Sequence, residues 1–179
     1  MRPRKAPLPK IWVMTDERGG DPVAIARRVA HGTGIVFRHY ATPPSERRAL
    51  FTRVRQIARA RRLVLLLAET PANARHWGAD GAHHRSALTS AGLRSVAVHN
   101  RRELVIAQRA KADLVFVSPV FTTTSHPEVK LLGVVRFGLL IGRERQYIIA
   151  LGGMNLVTFK KLRGTNIYGW AAIGAFKER

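Results

Sequence analysis

Groups able to bind an anion are concentrated in the segment 116–133, which reads FVSPVFTTTSHPEVKLLG. Thr123 and Ser125 can donate hydrogen bonds to an anion. Lys130 can add positive charge, and His126 lies beside these residues in the sequence. The combination predicts a substrate-binding loop. The alternative is a polar loop without a ligand, because such loops are common on protein surfaces.

A second candidate anion site lies in the segment 150–155, ALGGMN, which reads as a strand that ends in two glycines and runs into a helix. Backbone N–H groups at such a helix start can hold a phosphate. In (β/α)8 barrels the loops after the seventh and eighth strands often share one phosphate site. The eighth strand ends in YGWAAIGAF, so the pattern predicts a phosphate site that Gly152, Gly153 and this strand end share.

Three histidines, His83, His99 and His126, each follow an apolar run of strand length. If the imidazoles converge, they could hold a zinc ion with an open fourth position. The alternative is that they are structural, since metal ligation needs a convergent geometry and further hydrogen-bonding partners. We expect His31, His39 and His76 to be surface residues.

The elements that must position these residues alternate between short β-branched runs and segments with helical spacing. The predicted strands are Ile11–Met14, Gly34–Arg38, Leu63–Leu67, Gly81–His83, Ser95–Val98, Leu114–Val117, Tyr147–Leu151 and Ile167–Ile173. The predicted helices are Pro22–His31, Ser45–Ala60, Arg101–Ala110, Val134–Ile141 and Leu156–Leu162.

This alternation predicts an α/β fold, a compact (β/α)8 TIM barrel whose chemistry lies at the carboxyl ends of its strands. The segment 85–92 leaves little room for a helix after the fourth strand, and the chain stops at Arg179 before an eighth helix. A doubly wound open sheet is the alternative, but no G-x-G-x-x-G motif supports it. We expect residues 1–10 to form a basic disordered arm and residues 11–179 to form the barrel.

Composition limits the function classes. The chain has 179 residues, of which 46% are hydrophobic, so one domain with one core is expected. The absence of cysteine excludes disulfides and thiolate zinc sites. No apolar run approaches the roughly 18 residues that span a bilayer, the longest being Leu63–Ala68. We therefore expect a cytoplasmic protein without an export signal.

The charge balance is strongly basic, because 31 Lys and Arg oppose 11 Asp and Glu and give a net charge of +20. Such a chain attracts polyanions, which makes nucleic acid a candidate partner. However, aromatic residues are only 7% of the chain, and no helix-turn-helix or zinc-finger spacing is present. Specific nucleic-acid binding is therefore not expected, and a solvated arginine-rich surface is the simpler interpretation.

Six ordered motifs resemble the thiamine phosphate synthase and TenI family between Trp12 and Ala175. The motifs are IWVMTDERG, GADGAH, VAVHNRREL, ADLVFVSPVFTTTSHP, IIALGGM and YGWAAIGA. The resemblance implies a TIM barrel that binds a thiazole phosphate or thiamin phosphate in thiamin biosynthesis. It assigns the phosphate to the backbone of Gly152, Gly153, Ile173 and Gly174, and it assigns Arg38 to substrate binding.

The synthase motifs of the family are incomplete in this sequence. The family's Gln-x-Arg-x-Lys corresponds to residues 36–40, where only Arg38 is kept. One magnesium-binding aspartate of the family falls at Leu88, and the family's Asn-Asp pair becomes Ala68 and Glu69. Glu69 is then the single candidate metal ligand, which is a poor cage for a divalent cation. In the loop motif Thr-x-Thr-Lys, His126 replaces the lysine, and Lys130 could reach back.

The TenI branch of the family resembles a thiazole tautomerase, and its general-base histidine corresponds to His99. Glu103, one helical turn further on, is expected to lie close enough to orient this histidine. Proton abstraction and return suit a histidine and require no metal or other cofactor. Three functions therefore stay open. They are a tautomerase, a divergent Mg²⁺-dependent synthase that joins hydroxymethylpyrimidine diphosphate to thiazole phosphate, and a non-catalytic binder of thiazole phosphate, thiamin phosphate or another polyanion.

An expectation about assembly follows from the predicted absence of the eighth helix. Without that helix, apolar surface of the first and eighth strands would be uncovered, and soluble monomers rarely expose a large apolar patch. We therefore expect a homodimer in which a partner chain covers this surface.

Overall fold

A computed structural model of the protein describes residues 7–85, 92–122, 130–143 and 147–173. Eight parallel strands pair in sequence order, and the first pairs with the last to close a barrel. The strands are β1 Ile11–Thr15, β2 Gly34–Phe37, β3 Val64–Leu67, β4 Gly81–His83, β5 Leu93–Val98, β6 Leu114–Val117, β7 Tyr147–Ala150 and β8 Gly169–Ala172. The predicted TIM-barrel fold is confirmed.

The helices pack outside this barrel. They are α1 Pro22–Arg28, α2 Pro44–Ala60, α3 Pro71–Trp77, α4 Arg101–Arg109, α5 Gly133–Ile141 and α6 Leu156–Lys160, with a short 3₁₀ turn at Glu17–Gly19. In α2, Phe51, Val54 and Ala58 are buried at the three- and four-residue steps expected of a helix that packs on a sheet. Because the eight strands are parallel, their carboxyl ends lie on one side of the barrel.

Sequence reasoning missed helix α3. Its buried residues are Pro71 and Ala74, so the segment lacks the apolar periodicity on which the other helices were predicted. Capping signals were nevertheless present. The Thr70 side chain accepts a hydrogen bond from the Asn73 N–H, Pro71 occupies the first turn, and Gly78 ends the helix with a left-handed φ of 74°.

Large side chains fill the barrel interior. Trp12 of β1 and Phe116 of β6 meet edge to face inside it, with ring centroids 5.6 Å apart. Gly34 of β2 lies opposite Trp12 in the register, and a Cβ atom at Gly34 would lie 2.3 Å from the indole ring. The missing side chain at Gly34 therefore makes the space that the Trp12 ring occupies.

The amino-terminal segment joins the barrel earlier than predicted. Leu8 and Pro9 are buried, the Trp12 indole N–H donates to the Pro9 carbonyl at 2.8 Å, and the Trp170 N–H donates to the Lys10 carbonyl at 2.8 Å. Residues 8–10 therefore lie against the barrel, with partners in Trp12, Tyr168 and Trp170, so the predicted boundary of the arm at residue 10 is placed too late. Residues 1–6 lie outside the described residues.

Several predicted boundaries are corrected by a few residues. Helix α1 ends at Arg28 rather than His31, and strand β8 runs from Gly169 to Ala172 rather than from Ile167 to Ile173. The space after the fourth strand and the expected absence of an eighth helix concern residues 86–91 and 174–179, which lie outside the described residues. Within the described ranges, no helix has the length and apolar character that crossing a bilayer requires.

Substitution of two glycines by alanine is expected to change the free energy of unfolding in opposite directions. We expect Gly34→Ala to lower the free energy of unfolding by about 1–3 kcal/mol, because the new methyl group overpacks against the indole ring. Gly138→Ala in α5 is the matched control, since its Cβ would lie at an ordinary 3.5 Å from Thr165 Cγ2. We expect that change to stabilise the protein by about 0.5–1 kcal/mol through helix propensity. Urea denaturation measures both, and equal stability of Gly34→Ala and wild type would contradict the packing.

Candidate functional site

Polar side chains gather on one side of the barrel, where the strands have their carboxyl ends. We call the residues at and just after these strand ends the carboxyl rim. Asp16 follows β1, Arg38 follows β2, Glu69 lies after β3, and His99 follows β5. His83 is the last residue of β4. Because parallel strands all end on the same side, residues far apart in sequence meet at this rim.

An ion pair joins the ends of β1 and β2. Arg38 Nη2 lies 2.6 Å from Asp16 Oδ2, and Arg38 Nε donates to the Thr15 carbonyl at 3.3 Å. The Arg18 side chain also lies 2.9 Å from Asp16 Oδ2. Burial lowers the pKa of Arg38, and the Asp16 carboxylate opposes that effect, so the guanidinium stays charged. The predicted substrate-binding Arg38 therefore lies at the rim, but its guanidinium is already held by a buried carboxylate.

Sequence reasoning missed Asp16 as a functional residue. A carboxylate directly after an apolar strand, at the start of a helical turn, was the available signal. Asp16 caps the 3₁₀ turn, where its side chain accepts a hydrogen bond from the Arg18 N–H.

A second ion pair occupies Glu69. Arg47 Nη1 lies 2.9 Å from Glu69 Oε1, while Arg47 Nε donates to the Arg38 carbonyl at 2.8 Å. The Arg47 side chain is 9% exposed and the Glu69 side chain 31% exposed, so the guanidinium is buried while the carboxylate keeps some contact with solvent. The carboxylate that was the candidate magnesium ligand is thus neutralised by a guanidinium. In the part of the chain that the structure describes, no three His, Asp or Glu side chains are grouped closely enough to hold a metal ion.

The prediction of a surface position for His39 is wrong. His39 is 3% exposed, and its ring stacks on Phe37 with centroids 4.7 Å apart. A left-handed φ of 48° turns the residue inward at the end of β2, and a sequence pattern does not display this turn. Burial lowers the pKa of His39 despite the nearby carboxylates of Glu17 and Asp16. His31 and His76 are exposed, as predicted.

His83 is a neutral imidazole inside the rim. Its Nδ1 lies 2.9 Å from Ser95 Oγ, and Ser95 Oγ lies 3.3 Å from the Ala82 carbonyl. Both contacts are satisfied together when Ser95 donates to the carbonyl and His83 Nδ1 donates to Ser95, which leaves Nε2 as an acceptor. Burial, with smaller contributions from the charges of Arg38 and His84, lowers the pKa of His83 to about 4.

His99 and Glu103 form a dyad at the end of β5. His99 Nδ1 lies 2.9 Å from Glu103 Oε2, and the His99 backbone N–H donates to the same oxygen at 2.8 Å. The side chains of His99 and Glu103 are 43% and 26% exposed. Glu103 lies in the first turn of α4, which Asn100 caps by accepting a hydrogen bond from the Glu103 N–H. The expected proximity of Glu103 to His99, one helical turn apart, is therefore observed.

This dyad fixes the roles of the two imidazole nitrogens. A carboxylate can only accept, so His99 Nδ1 donates to Glu103, and Nε2 of the neutral ring keeps its lone pair. Burial works to raise the pKa of Glu103. The hydrogen bonds from the His99 side chain and backbone, with smaller contributions from the charges of His99 and Arg85, outweigh it, and the pKa lies below its usual value. Glu103 is therefore ionised at neutral pH and can support a positive charge on His99.

The glycine turn after β7 requires both of its glycines. Gly152 and Gly153 have φ of 92° and 63°, in the left-handed region that side chains disfavour. A Cβ at Gly152 would lie 2.9 Å from Pro119 Cα, and one at Gly153 would lie 2.4 Å from the Thr122 carbonyl oxygen. The turn thus packs its backbone directly on the segment that follows β6.

Two backbone donors of this turn lack an acceptor in the described part of the chain. Asn155 caps α6 by accepting hydrogen bonds from the Val157 and Thr158 N–H groups. Among the described residues, the Gly152 and Gly153 N–H groups have no hydrogen-bond acceptor.

The predicted phosphate site stays a prediction, because Gly174 lies outside the described residues. The same holds for the predicted loop residues Thr123, Ser125 and His126. Lys130 is described and exposed, and Ile173 lies near Gly19 beside β1.

Comparison with known sequences shows which protein family the chain matches. A family model described as thiamine monophosphate synthase matches residues 13–176, nearly the whole chain. A curated protein of Aquifex aeolicus (strain VF5), "Putative thiamine-phosphate synthase 2", is 30% identical over 80 residues. That match spans 45% of this chain and 43% of the relative, so the chain covers less than half of the relative's length.

Solved structures share the fold. The thiamine phosphate pyrophosphorylase from Pyrococcus furiosus superposes with a TM-score of 0.76 at 20% identity, covering 90% of this chain and 84% of that chain. An N-acetylmannosamine-6-phosphate 2-epimerase from Clostridium perfringens superposes with a TM-score of 0.60 at 10% identity, covering 93% and 88% of the two chains. At these identities the structural similarity supports the barrel fold alone.

The environment of His83 predicts an unusual titration. We expect its imidazole resonances to titrate with a midpoint of about 4 in the folded protein, because the charged form loses hydration inside the barrel. The unfolded chain binds this proton near pH 6.5, so the free energy of unfolding falls as pH drops from about 6.5 to about 4. NMR titration with His83→Gln as the assignment control measures the midpoint. A midpoint near 6.5 would contradict the burial of a neutral ring.

Proposed function

The chain belongs to the thiamine monophosphate synthase family, and from that premise we propose that it is a TenI-type thiazole tautomerase acting on a thiazole phosphate. The observation that carries the proposal is the contact of 2.9 Å between His99 Nδ1 and Glu103 Oε2 at the carboxyl rim. A histidine whose Nδ1 is held by a carboxylate presents Nε2 as a proton acceptor. This arrangement suits proton transfer, which is the chemistry of a tautomerase.

The proposed reaction moves one proton and leaves the rest of the substrate intact. Nε2 of His99 takes a proton from one ring position of the bound thiazole phosphate, and the electron pair left behind shifts within the ring system. The resulting imidazolium then returns a proton to a second position. The ionised Glu103 stabilises the imidazolium between the two steps. No cofactor is required for this sequence.

Substrate positioning is proposed for the anion-binding groups around the rim. The N–H groups of Gly152 and Gly153, which have no acceptor among the described residues, would hold the phosphate together with Ile173 and Gly174. Thr123, Ser125 and His126, with Lys130 and Arg38, are proposed to contact the substrate from neighbouring strand ends. Backbone donors do not depend on side-chain identity, which explains how phosphate binding could persist where the family's other motifs have changed.

Two observations weigh against the synthase reaction as the principal activity. The Glu69 carboxylate is paired with Arg47, which competes with Mg²⁺ for its oxygens. Where the family's motif has a glutamine and a lysine, this chain has the fully buried Val36 and the exposed Tyr40, which cannot replace an amide and an ammonium in a diphosphate clamp. A divergent Mg²⁺-dependent synthase is the second candidate, favoured by Arg38 at the rim.

Replacing His99 tests the proposed base. We expect His99→Ala to reduce the rate of thiazole phosphate tautomerisation by about 100- to 10,000-fold, because general-base catalysis contributes that range. Affinity for the phosphate ligand should stay nearly unchanged. The matched control is His76→Ala, which removes an exposed imidazole from α3 and is expected to keep the full rate. Full activity of His99→Ala would remove His99 from the mechanism.

Replacing Glu103 tests its support of the base. We expect Glu103→Gln to lower kcat by about tenfold or more while KM changes little, because the imidazolium loses a charged hydrogen-bond partner. Steady-state kinetics separates the two parameters, and circular dichroism checks that α4 is retained. Glu46→Gln, an exposed carboxylate in the first turn of α2, serves as the control. An unchanged kcat in Glu103→Gln would show that the dyad does not support catalysis.

A further inference from the structure

A second basic site lies at the end of the barrel opposite the carboxyl rim. A cavity of about 200 Å³ opens between the carboxyl-terminal end of α2, the start of β3 and the turn that joins α3 to β4. Three of its charged residues, Arg55, Arg59 and Arg62, belong to α2 or directly follow it, and the fourth is Asp80. Because Asp80 directly precedes β4, the cavity is at the amino-terminal end of the strands and is separate from His99.

Two guanidinium groups converge on the backbone of Gly78 in this cavity. A Cβ at Gly78 would lie 2.2 Å from Arg55 Nη1 and 3.6 Å from Arg59 Nη2, so the two nitrogens are within about 6 Å of each other. Arg55 Nη1 is fixed there by donating to the Trp77 carbonyl at 3.1 Å. Glycine at position 78 thus lets two like charges approach one backbone segment, and their repulsion favours a bound anion.

The one carboxylate that lines the cavity, that of Asp80, does not balance the charge of its three arginines. Asp80 Oδ2 accepts a hydrogen bond from the Leu65 N–H at 2.8 Å, which ties this side chain to β3. Within the described ranges, none of the three arginines forms an ion pair with a carboxylate. Three guanidinium groups therefore face one carboxylate around a concave surface, whereas Arg38 and Arg47 at the carboxyl rim are paired.

We propose that this cavity is a second anion site, which binds a phosphate group, either as inorganic phosphate or as the phosphomonoester of a small molecule. Guanidinium groups donate paired hydrogen bonds that match the oxygens of phosphate. The volume suits one phosphate with a small substituent. The cavity has no aromatic side chain in its lining on which nucleic-acid bases could stack, so a small phosphate fits better than a polynucleotide.

Arg62 allows a test that does not compromise folding. It has a left-handed φ of 54° after the end of α2, a position where glycine is favoured. Arg62→Gly therefore removes one guanidinium and also relieves the backbone, and we expect its melting temperature to equal or exceed that of wild type. The charge-matched control is Arg53→Gly, which removes an exposed arginine of α2 that does not line the cavity. That control loses stability through helix propensity but keeps the cavity.

The experiment is an NMR titration of ¹⁵N-labelled protein with inorganic phosphate at constant ionic strength, with the Gly78 amide reporting on this cavity and the Gly153 amide on the carboxyl rim. We expect saturable Gly78 shifts in wild type and Arg53→Gly, and a Kd about tenfold higher in Arg62→Gly. The Gly153 response is expected to be the same in all three proteins. Glycerol 3-phosphate in a parallel titration distinguishes a phosphomonoester ligand, which would bind more tightly than phosphate.

Three results would overturn the proposal. The first is Gly78 shifts that do not saturate or that sodium chloride reproduces, since these would indicate screening alone. The second is an unchanged Kd in Arg62→Gly. The third is displacement of phosphate by a short single-stranded oligonucleotide that binds more tightly than either small ligand. That result would assign the cavity to nucleic acid. Because Gly153 is read separately, failure here leaves the proposed tautomerase function untouched.

Discussion

Closure of the barrel is the constraint on which every other feature of this protein depends. Strand β8 pairs with β1 in parallel, and the Lys10 carbonyl accepts from the Trp170 N–H where the two ends meet. Inside the closed sheet, the Trp12 ring occupies the space that Gly34 leaves. Closure brings the ends of all eight strands to one rim, so Asp16, Arg38 and His99 lie on the same side of the barrel despite their separation in sequence.

Scarce carboxylates organise the rim of a very basic protein. The chain has 31 Lys and Arg but only 11 Asp and Glu, and three of these carboxylates hold cations or an imidazole at the rim. Asp16 holds Arg38, Glu69 holds Arg47, and Glu103 holds His99. The first two pairs fix arginines beside the site, while the third orients an imidazole. The same scarcity leaves the arginines of the opposite cavity without carboxylate partners among the described residues.

The fold could be predicted from sequence because its signals are local and repeated. The alternation of β-branched runs with helical spacing placed all eight strands, and most boundaries are within two residues. Helix α3 was missed because its few buried residues give no periodicity. His39 was misjudged because a single left-handed residue turns it inward, which no pattern of residue types displays.

The candidate site was only partly predictable for the same physical reason. The spacing of His99 and Glu103 anticipated their contact, since residues four apart at a helix start can face each other. The partners of Arg38 and Glu69 come from other strand ends, and tertiary packing alone brings them together. Pairing of Glu69 with Arg47 could not be read from an arginine-rich helix with several candidates.

Solvent deuterium incorporation into thiazole phosphate tests the central claim most directly, because it detects proton abstraction from the ring without requiring net conversion. We expect incorporation catalysed by the wild-type protein in D₂O with EDTA present, at a rate that added Mg²⁺ does not change. The contradicting result is no incorporation under these conditions together with Mg²⁺-dependent coupling of hydroxymethylpyrimidine diphosphate to the thiazole, which would make the protein a synthase.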